Sequence, residues 1–251
     1  MLSVLRWGSD MKLILNLIFL VNLFGCGTKN LFECDGGYAK SKCSPRTKDE
    51  DARIALDRED YDTAITLLNE LIAAEPETYQ RYPLLSAAYA ARSGFDIFNI
   101  VTANFGGNSS LLQTMSSFLP TPVTKGSLYD ASLSDMSSGV STLLTIPPDQ
   151  RLATSADKYA TSAVLQLTLY QAAYGVMLLN KFTYSASGYD PSLLANMTAT
   201  DAANILAAIA GAASASGSGA GSAASAAVAA IAAQPGATDQ ERLAAWSQAA
   251  R

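Results

Sequence analysis

Residues 60–76 read DYDTAITLLNELIAAEP. Ala64, Ile65, Leu68, Leu71 and Ile72 recur at steps of three and four. That period puts them on one face of an α-helix, whereas a strand would alternate every two residues. Asp60 or Asp62 offers a side-chain acceptor to the free N–H groups of the first turn. Pro76 stops the run, because its ring cannot continue a helix. Upstream, Ala52, Ala55 and Leu56 form a second stripe at helical spacing. Downstream, Leu85, Ala88 and Tyr89 form a third, with Pro83 tolerated in the first turn and Ser93-Gly94 as the closing turn. Asp96 is expected to cap a fourth helix through Ile97, Ile100 and Val101 that ends before Gly106-Gly107. No segment of the chain sustains two-residue alternation. The expected class is all-α, built of antiparallel helix pairs.

These pairs resemble tetratricopeptide repeats. Asp60-Tyr61, Ala64, Leu68 and Pro76 fall at that repeat's turn, small, large and terminating positions, and Leu85, Tyr89 and Phe95 match the first helix and turn of a second unit. Two departures stand out. Asp51-Ala52 replaces the large aromatic and Leu-Gly pair of the first helix, and Phe98 sits where a small Ala is usual. The resemblance covers residues 48–105. A repeat stack normally needs three units, so the rest of the chain must supply the missing packing partners with non-standard helices.

That remainder, 106–251, is poor in charge. Residues 97–251 hold 14 Asp, Glu, Lys or Arg, against 22 in the much shorter 26–96. Ser109 or Ser110 caps a short helix Leu111–Leu119 ended by Pro120. Tyr129, Leu133, Met136, Val140 and Leu143 predict a helix over 128–144 that ends at Pro147-Pro148. Tyr159 to Asn180 carries no charge and is long enough to span a bilayer. Thr161, Ser162, Gln166, Thr168 and Gln171 dilute it, so a central helix buried by its neighbours is expected. Asp190-Pro191 starts a short helix with Leu193 and Leu194. Ala202 to Ala233 reads as two Ala-rich helices around a Gly/Ser linker near 214–222. Thr238 and Glu241 form a capping-box pattern opening a last helix with Leu243, Ala244 and Trp246.

The N-terminus sets the address. Met11-Lys12 precedes the uncharged core Leu13 to Phe24, which has the length of a signal peptide. Asp10 suits such a segment badly, which favours Met11 as the start. Leu23-Phe24-Gly25-Cys26 resembles the lipobox of bacterial lipoproteins, with Phe24 bulkier than the usual occupant. The resemblance implies cleavage after residue 25, a thioether-linked diacylglyceryl group on Cys26 and further acylation (palmitate). Several acyl chains hold a protein to a bilayer firmly, where one alone is marginal. It also implies a cell-envelope location. Gly27 stands where Asp would signal inner-membrane retention in some bacteria, so the outer membrane facing the periplasm is the expected site. Residues 26–47, with Gly36-Gly37 and Ser44-Pro45, read as a tether. With Cys26 lipidated, Cys34 and Cys43 remain, either as a short disulfide loop or as two free thiols.

Composition narrows the chemistry. There is no histidine, which removes the commonest general base and the commonest zinc ligand. Net charge is −5 and no Lys/Arg cluster exists, so nucleic acid is not an expected partner. Ser155-Ala156-Asp157-Lys158 matches the Ser-x-x-Lys pattern of penicillin-recognising enzymes, but their later Lys-Thr-Gly motif is missing. Ser155 is better read as a helix cap. Gly217 to Gly221 lacks the Gly-Lys-Ser/Thr of a phosphate loop, and the acidic cluster Asp57, Glu59, Asp60 and Asp62 lacks the pattern of a calcium loop. No catalytic residue, cofactor or metal site is expected, and the protein is not expected to be an enzyme. Tyr79, Tyr82, Tyr89, Tyr170, Tyr174, Tyr184 and Tyr189 could line a groove or simply fill a core.

Two functions compete. One is a lipid-anchored envelope scaffold that binds a protein partner through its helical surface. The other is a lipoprotein that binds a small apolar ligand. The layout is similar to the T-component lipoproteins of tripartite periplasmic transporters, which implies ligand handling beside a transporter.

Overall fold

In the computed structural model, which describes residues 47–95, 119–151, 158–185, 187–214 and 219–249, Asp60 caps the helix that residues 60–76 predict. Its carboxylate accepts from the Thr63 backbone N–H at 3.3 Å, and the helix, α2, spans Tyr61–Ala74. Before it lies α1 (Lys48–Asp57) and after it α3 (Arg81–Ser93), with Pro83 in the first turn. Gly94 closes α3 at φ 95°, a left-handed conformation that glycine adopts without cost.

Three ionic contacts fix the directions of these helices. Lys48, at the start of α1, meets Glu70 near the end of α2 at 2.8 Å. Arg92, at the end of α3, meets Asp62 at the start of α2 at 2.6 Å. Asp49 and Arg81, at the starts of α1 and α3, meet at 2.9 Å. The helices therefore run up, down and up. Ala52, Ala55, Ala64, Ile65, Leu68, Leu85 and Ala88 form their shared core. Leu68 is fully buried, worth about 2 kcal/mol of apolar transfer.

The charge-poor region continues the same pattern. It holds α4 (Pro122–Lys125), a 3₁₀ turn (Gly126–Leu128), α5 (Tyr129–Thr145), α6 (Pro148–Arg151) and α7 (Lys158–Lys181). A two-residue hairpin pairs β1 (Tyr184–Ser185) with β2 (Gly188–Tyr189). A 3₁₀ helix (Pro191–Asn196), α8 (Ala199–Ser214), α9 (Gly219–Ala232) and α10 (Asp239–Ala249) follow. The fold is all-α, as expected.

Antiparallel packing recurs at three further seams. Ser86 and Arg92 of α3 meet Gly139 and Asp135 of α5. The Tyr129 hydroxyl, at the start of α5, donates to the Met177 carbonyl near the end of α7 at 2.6 Å. Gln171 and Gly175 of α7 lie against Gly211 and Ile209 of α8. Helix α7 is the axis of the larger core, burying Ala163, Leu167, Leu169, Tyr170, Ala172, Ala173, Val176, Met177 and Leu179. Tyr159–Lys181 is long and apolar enough to cross a membrane, yet 61% of its most apolar stretch is buried inside the fold. It is packed as a core helix.

Several local expectations shift. The Gly/Ser break near 214–222 narrows, because Ser214 still belongs to α8 and Gly219–Ser222 already to α9. Gly221 is buried, and packing of α9 on α8 outweighs the poor helix propensity of Gly and Ser. The helix opened by Asp190 is 3₁₀ in form, with Asp190 accepting from the Ser192 N–H at 3.0 Å. Helix α4, capped by Thr121, and the hairpin at 184–189 carried no periodic signal. The segments 1–25 and 26–46 with Cys26, Cys34 and Cys43, the helix expected from Asp96 to Gly106, residues 111–118 and Ser155 all lie outside the described residues.

Candidate functional site

Two of the surface grooves of binding-site size among the described residues lie at helix seams. The first, about 550 Å³, lies between the α1–α2 turn, α3 and α7. Leu56, Glu59 and Tyr61 form one rim at the α1–α2 turn, where Glu59 holds a left-handed φ of 59°. Ala87, Ala90 and Ala91 of α3 form the floor, and Phe95, Gln166 and Tyr170 the far wall. The Phe95 and Tyr170 rings meet edge to face, 5.3 Å between centroids. Tyr170 is 2% exposed, and that burial pushes its phenol pKa up, so it stays neutral. The amide oxygen of Gln166 is buried with no hydrogen-bond partner among the described residues. An orphaned buried acceptor is costly, and a donor from outside would relieve it.

The second groove, about 600 Å³, lies along α5 between Asn69 of α2, Tyr89 of α3 and Tyr174 of α7. Its floor carries Ser134, Ser137, Ser138, Ser141, Thr142 and Thr145, which share one face of α5. The hydroxyls of Ser138, Thr142 and Thr145 donate to the carbonyls of Ser134, Ser138 and Ser141, at 2.9, 2.7 and 3.1 Å. Ser134, Ser137 and Ser141 spend no hydroxyl in this way. At one end Lys181 and Asp130 pair at 3.0 Å, so the lining carries no net charge.

The tyrosines singled out in the sequence are not brought together. Tyr170 lines the first groove, and Tyr89 and Tyr174 the second. Tyr82 is a packing residue, 6% exposed, whose hydroxyl donates to the Pro76 carbonyl at 2.8 Å and whose pKa burial raises. Tyr79 tilts against its ring at 6.0 Å. Tyr184 and Tyr189 stack edge to face across the hairpin at 5.7 Å. The acidic cluster does local work: Asp60 caps α2 and Asp62 pairs with Arg92. Among the described residues, no three His, Cys, Asp or Glu side chains gather as they would around a metal ion.

Sequence reading missed two arginines that join elements. Arg81 is 8% exposed. Its fork grips both Asp49 oxygens at 2.9 Å, and its Nη1 donates to the Leu71 carbonyl and meets Glu75, each at 3.0 Å. Arg92 binds both Asp135 oxygens, at 2.6 and 2.9 Å, while reaching Asp62. Hydrogen bonds to Asp49 and Asp135 respectively are the main cause that raises each guanidinium pKa, against desolvation. A lone Arg on an apolar stripe was the signal available. The hydroxyl face of α5 was also legible as Ser and Thr at helical spacing. No protein-family model, no curated protein and no solved structure matches the chain.

Proposed function

We propose that this protein is a lipid-anchored envelope scaffold that binds a protein partner in the groove between its N-terminal helices and α7. The groove is the observation that carries the reading. It joins an alanine floor, which lets a partner's backbone come close, to the aromatic wall of Phe95 and Tyr170. An amphipathic helix recognises such a surface with its apolar face, and the buried Gln166 oxygen, unpartnered among the described residues, can accept one donor from it. The Leu23-Phe24-Gly25-Cys26 lipobox supports the anchor and the envelope address.

The volume of about 550 Å³ also suits a small apolar ligand, the second reading. A photo-crosslinking residue placed at Ala87 or Ala91 of the full chain in intact cells separates the two. One dominant protein adduct from these positions, absent when the probe sits at exposed Ala226 of α9, supports the scaffold. A small molecule retained in native mass spectrometry, with no protein adduct, supports the carrier.

A further inference from the structure

We infer that the hydroxyl-lined groove along α5 binds an uncharged glycan chain. The inference is independent of the partner groove, from which it differs in lining and position.

Asp130 to Thr145 lie on one helix, so the groove runs about 22 Å at 1.5 Å per residue. That is longer than a single sugar ring and fits a short oligosaccharide. Along this length the floor offers two kinds of hydrogen-bonding group. The hydroxyls of Ser134, Ser137 and Ser141 have no protein partner among the described residues and can donate and accept. Ser138, Thr142 and Thr145 already donate to the helix backbone, so toward the groove they offer lone pairs. A sugar's hydroxyls, each donor and acceptor, match such a mixed surface.

Tyr89 and Tyr174 stand at the walls, half-buried. An aromatic ring takes the C–H face of a pyranose, while the phenol hydroxyl reaches its polar rim. The single ion pair, Asp130–Lys181, is internally neutralised, so the lining selects neither an anionic nor a cationic polymer. Peptides fit less well. An amphipathic helix needs apolar anchor pockets, and an extended peptide needs a strand edge. This groove has helical walls and, apart from its tyrosines, Leu133 as its one apolar lining residue, itself 7% exposed.

The test uses the full chain in a detergent without a sugar headgroup. N-acetylglucosamine hexamer and cellohexaose are titrated by tyrosine fluorescence and calorimetry. The variant Ser134→Ala/Ser137→Ala/Ser141→Ala keeps the fold, because alanine is the better helix former. Saturable binding of at least one oligosaccharide, weakened about tenfold or more in the variant, is the expected result. Absence of saturation with both sugars overturns the inference, as does equal binding by the variant. An uncharged Ser/Gly peptide that binds in place of the sugars and shows the same loss assigns the groove to a polypeptide and overturns it too.

Discussion

The Ser86 hydroxyl donates a 2.7 Å hydrogen bond to the carbonyl oxygen of Gly139, inside the buried seam between α3 and α5. The backbones come this close because Gly139 has no side chain. A Cβ there would stand 3.2 Å from the Ser86 carbonyl oxygen and 3.6 Å from the Tyr89 Cβ. A mid-helix glycine normally costs about 1 kcal/mol of helix stability. Here the contact offsets that cost and ties the N-terminal helices to the charge-poor region.

Enlarging Gly139 should therefore force the seam apart. Gly139→Leu is expected to lower unfolding stability by about 2–3 kcal/mol. Ser86→Ala, which removes only the donor, should cost about 1 kcal/mol. Urea unfolding of the full chain checks both, and a Gly139→Leu protein as stable as the parent would contradict this account of the seam.

Gly175 on α7 makes the matching approach to α8, where a Cβ would lie 2.8 Å from Ile209 Cγ1. Gly175→Val should destabilise by about 1–3 kcal/mol. Adding Ile209→Ala to that variant should restore part of the loss, although Ile209→Ala alone opens a cavity and destabilises. Thermal unfolding of the three variants reads this non-additivity directly.

Arg92 bridges α2, α3 and α5, but its two carboxylates are unequal. The Asp135 side chain is 17% exposed and that of Asp62 is 83% exposed. Solvent screens the second pair far more. A double-mutant cycle should give about 1–2 kcal/mol for Arg92–Asp135. The same cycle should give under about 0.5 kcal/mol for Arg92–Asp62.

Acid sensitivity should map in part to the start of α8. Asp201 accepts from the Thr198 hydroxyl at 2.6 Å and the Thr198 N–H at 2.9 Å, while the Thr198 hydroxyl accepts from the Asp201 N–H at 3.2 Å. The hydrogen bonds from Thr198 lower the Asp201 pKa. A depressed folded pKa means that the charged form stabilises the fold. The contribution is complete above the ordinary aspartate pKa and is lost as pH falls through the depressed value. Asp201→Asn should cost about 1 kcal/mol at neutral pH and reduce the pH dependence of stability below about pH 4. Denaturation midpoints measured from neutral to acid pH test it.

The anchor has its own test. Cys26→Ser removes the sulfur that would carry lipid. The full chain should then remain unprocessed, lose metabolic acyl labelling, and leave the fraction held by its lipid. A Cys26→Ser protein that is cleaved and membrane-held like the parent would sink the lipoprotein reading.

The N-terminal helices were legible in the sequence because their signals are local. Asp60 caps, Pro76 terminates, and Ala64, Ile65 and Leu68 mark the buried face by spacing alone. The capping box also marked the last helix, where Glu241 accepts from the Ala237 and Thr238 N–H groups, bonds that lower its pKa. Other elements resisted the same reading. The Gly/Ser stretch near 214–222 looks like a linker by propensity, yet Gly219–Ser222 are drawn into α9 by packing. The apolar groove was hidden because Leu56, Ala91, Gln166 and Tyr170 are far apart in the chain and meet only after folding.

By itself, the order of residues determined what depends on near neighbours: the all-α class, the cap and stop of α2, the capping box of α10, and the buried stripes of α2, α3 and α5. Periodicity and capping act within a few residues, so one strand of text contains them. Tertiary structure alone decided which stripes face one another, and that followed from steric fit. Gly139 and Gly175 suit their partners because a Cβ would stand 3.2 Å from the Ser86 carbonyl oxygen, a tight contact, and 2.8 Å from Ile209 Cγ1, an overlap, and no local pattern encodes the partner's side of such a contact.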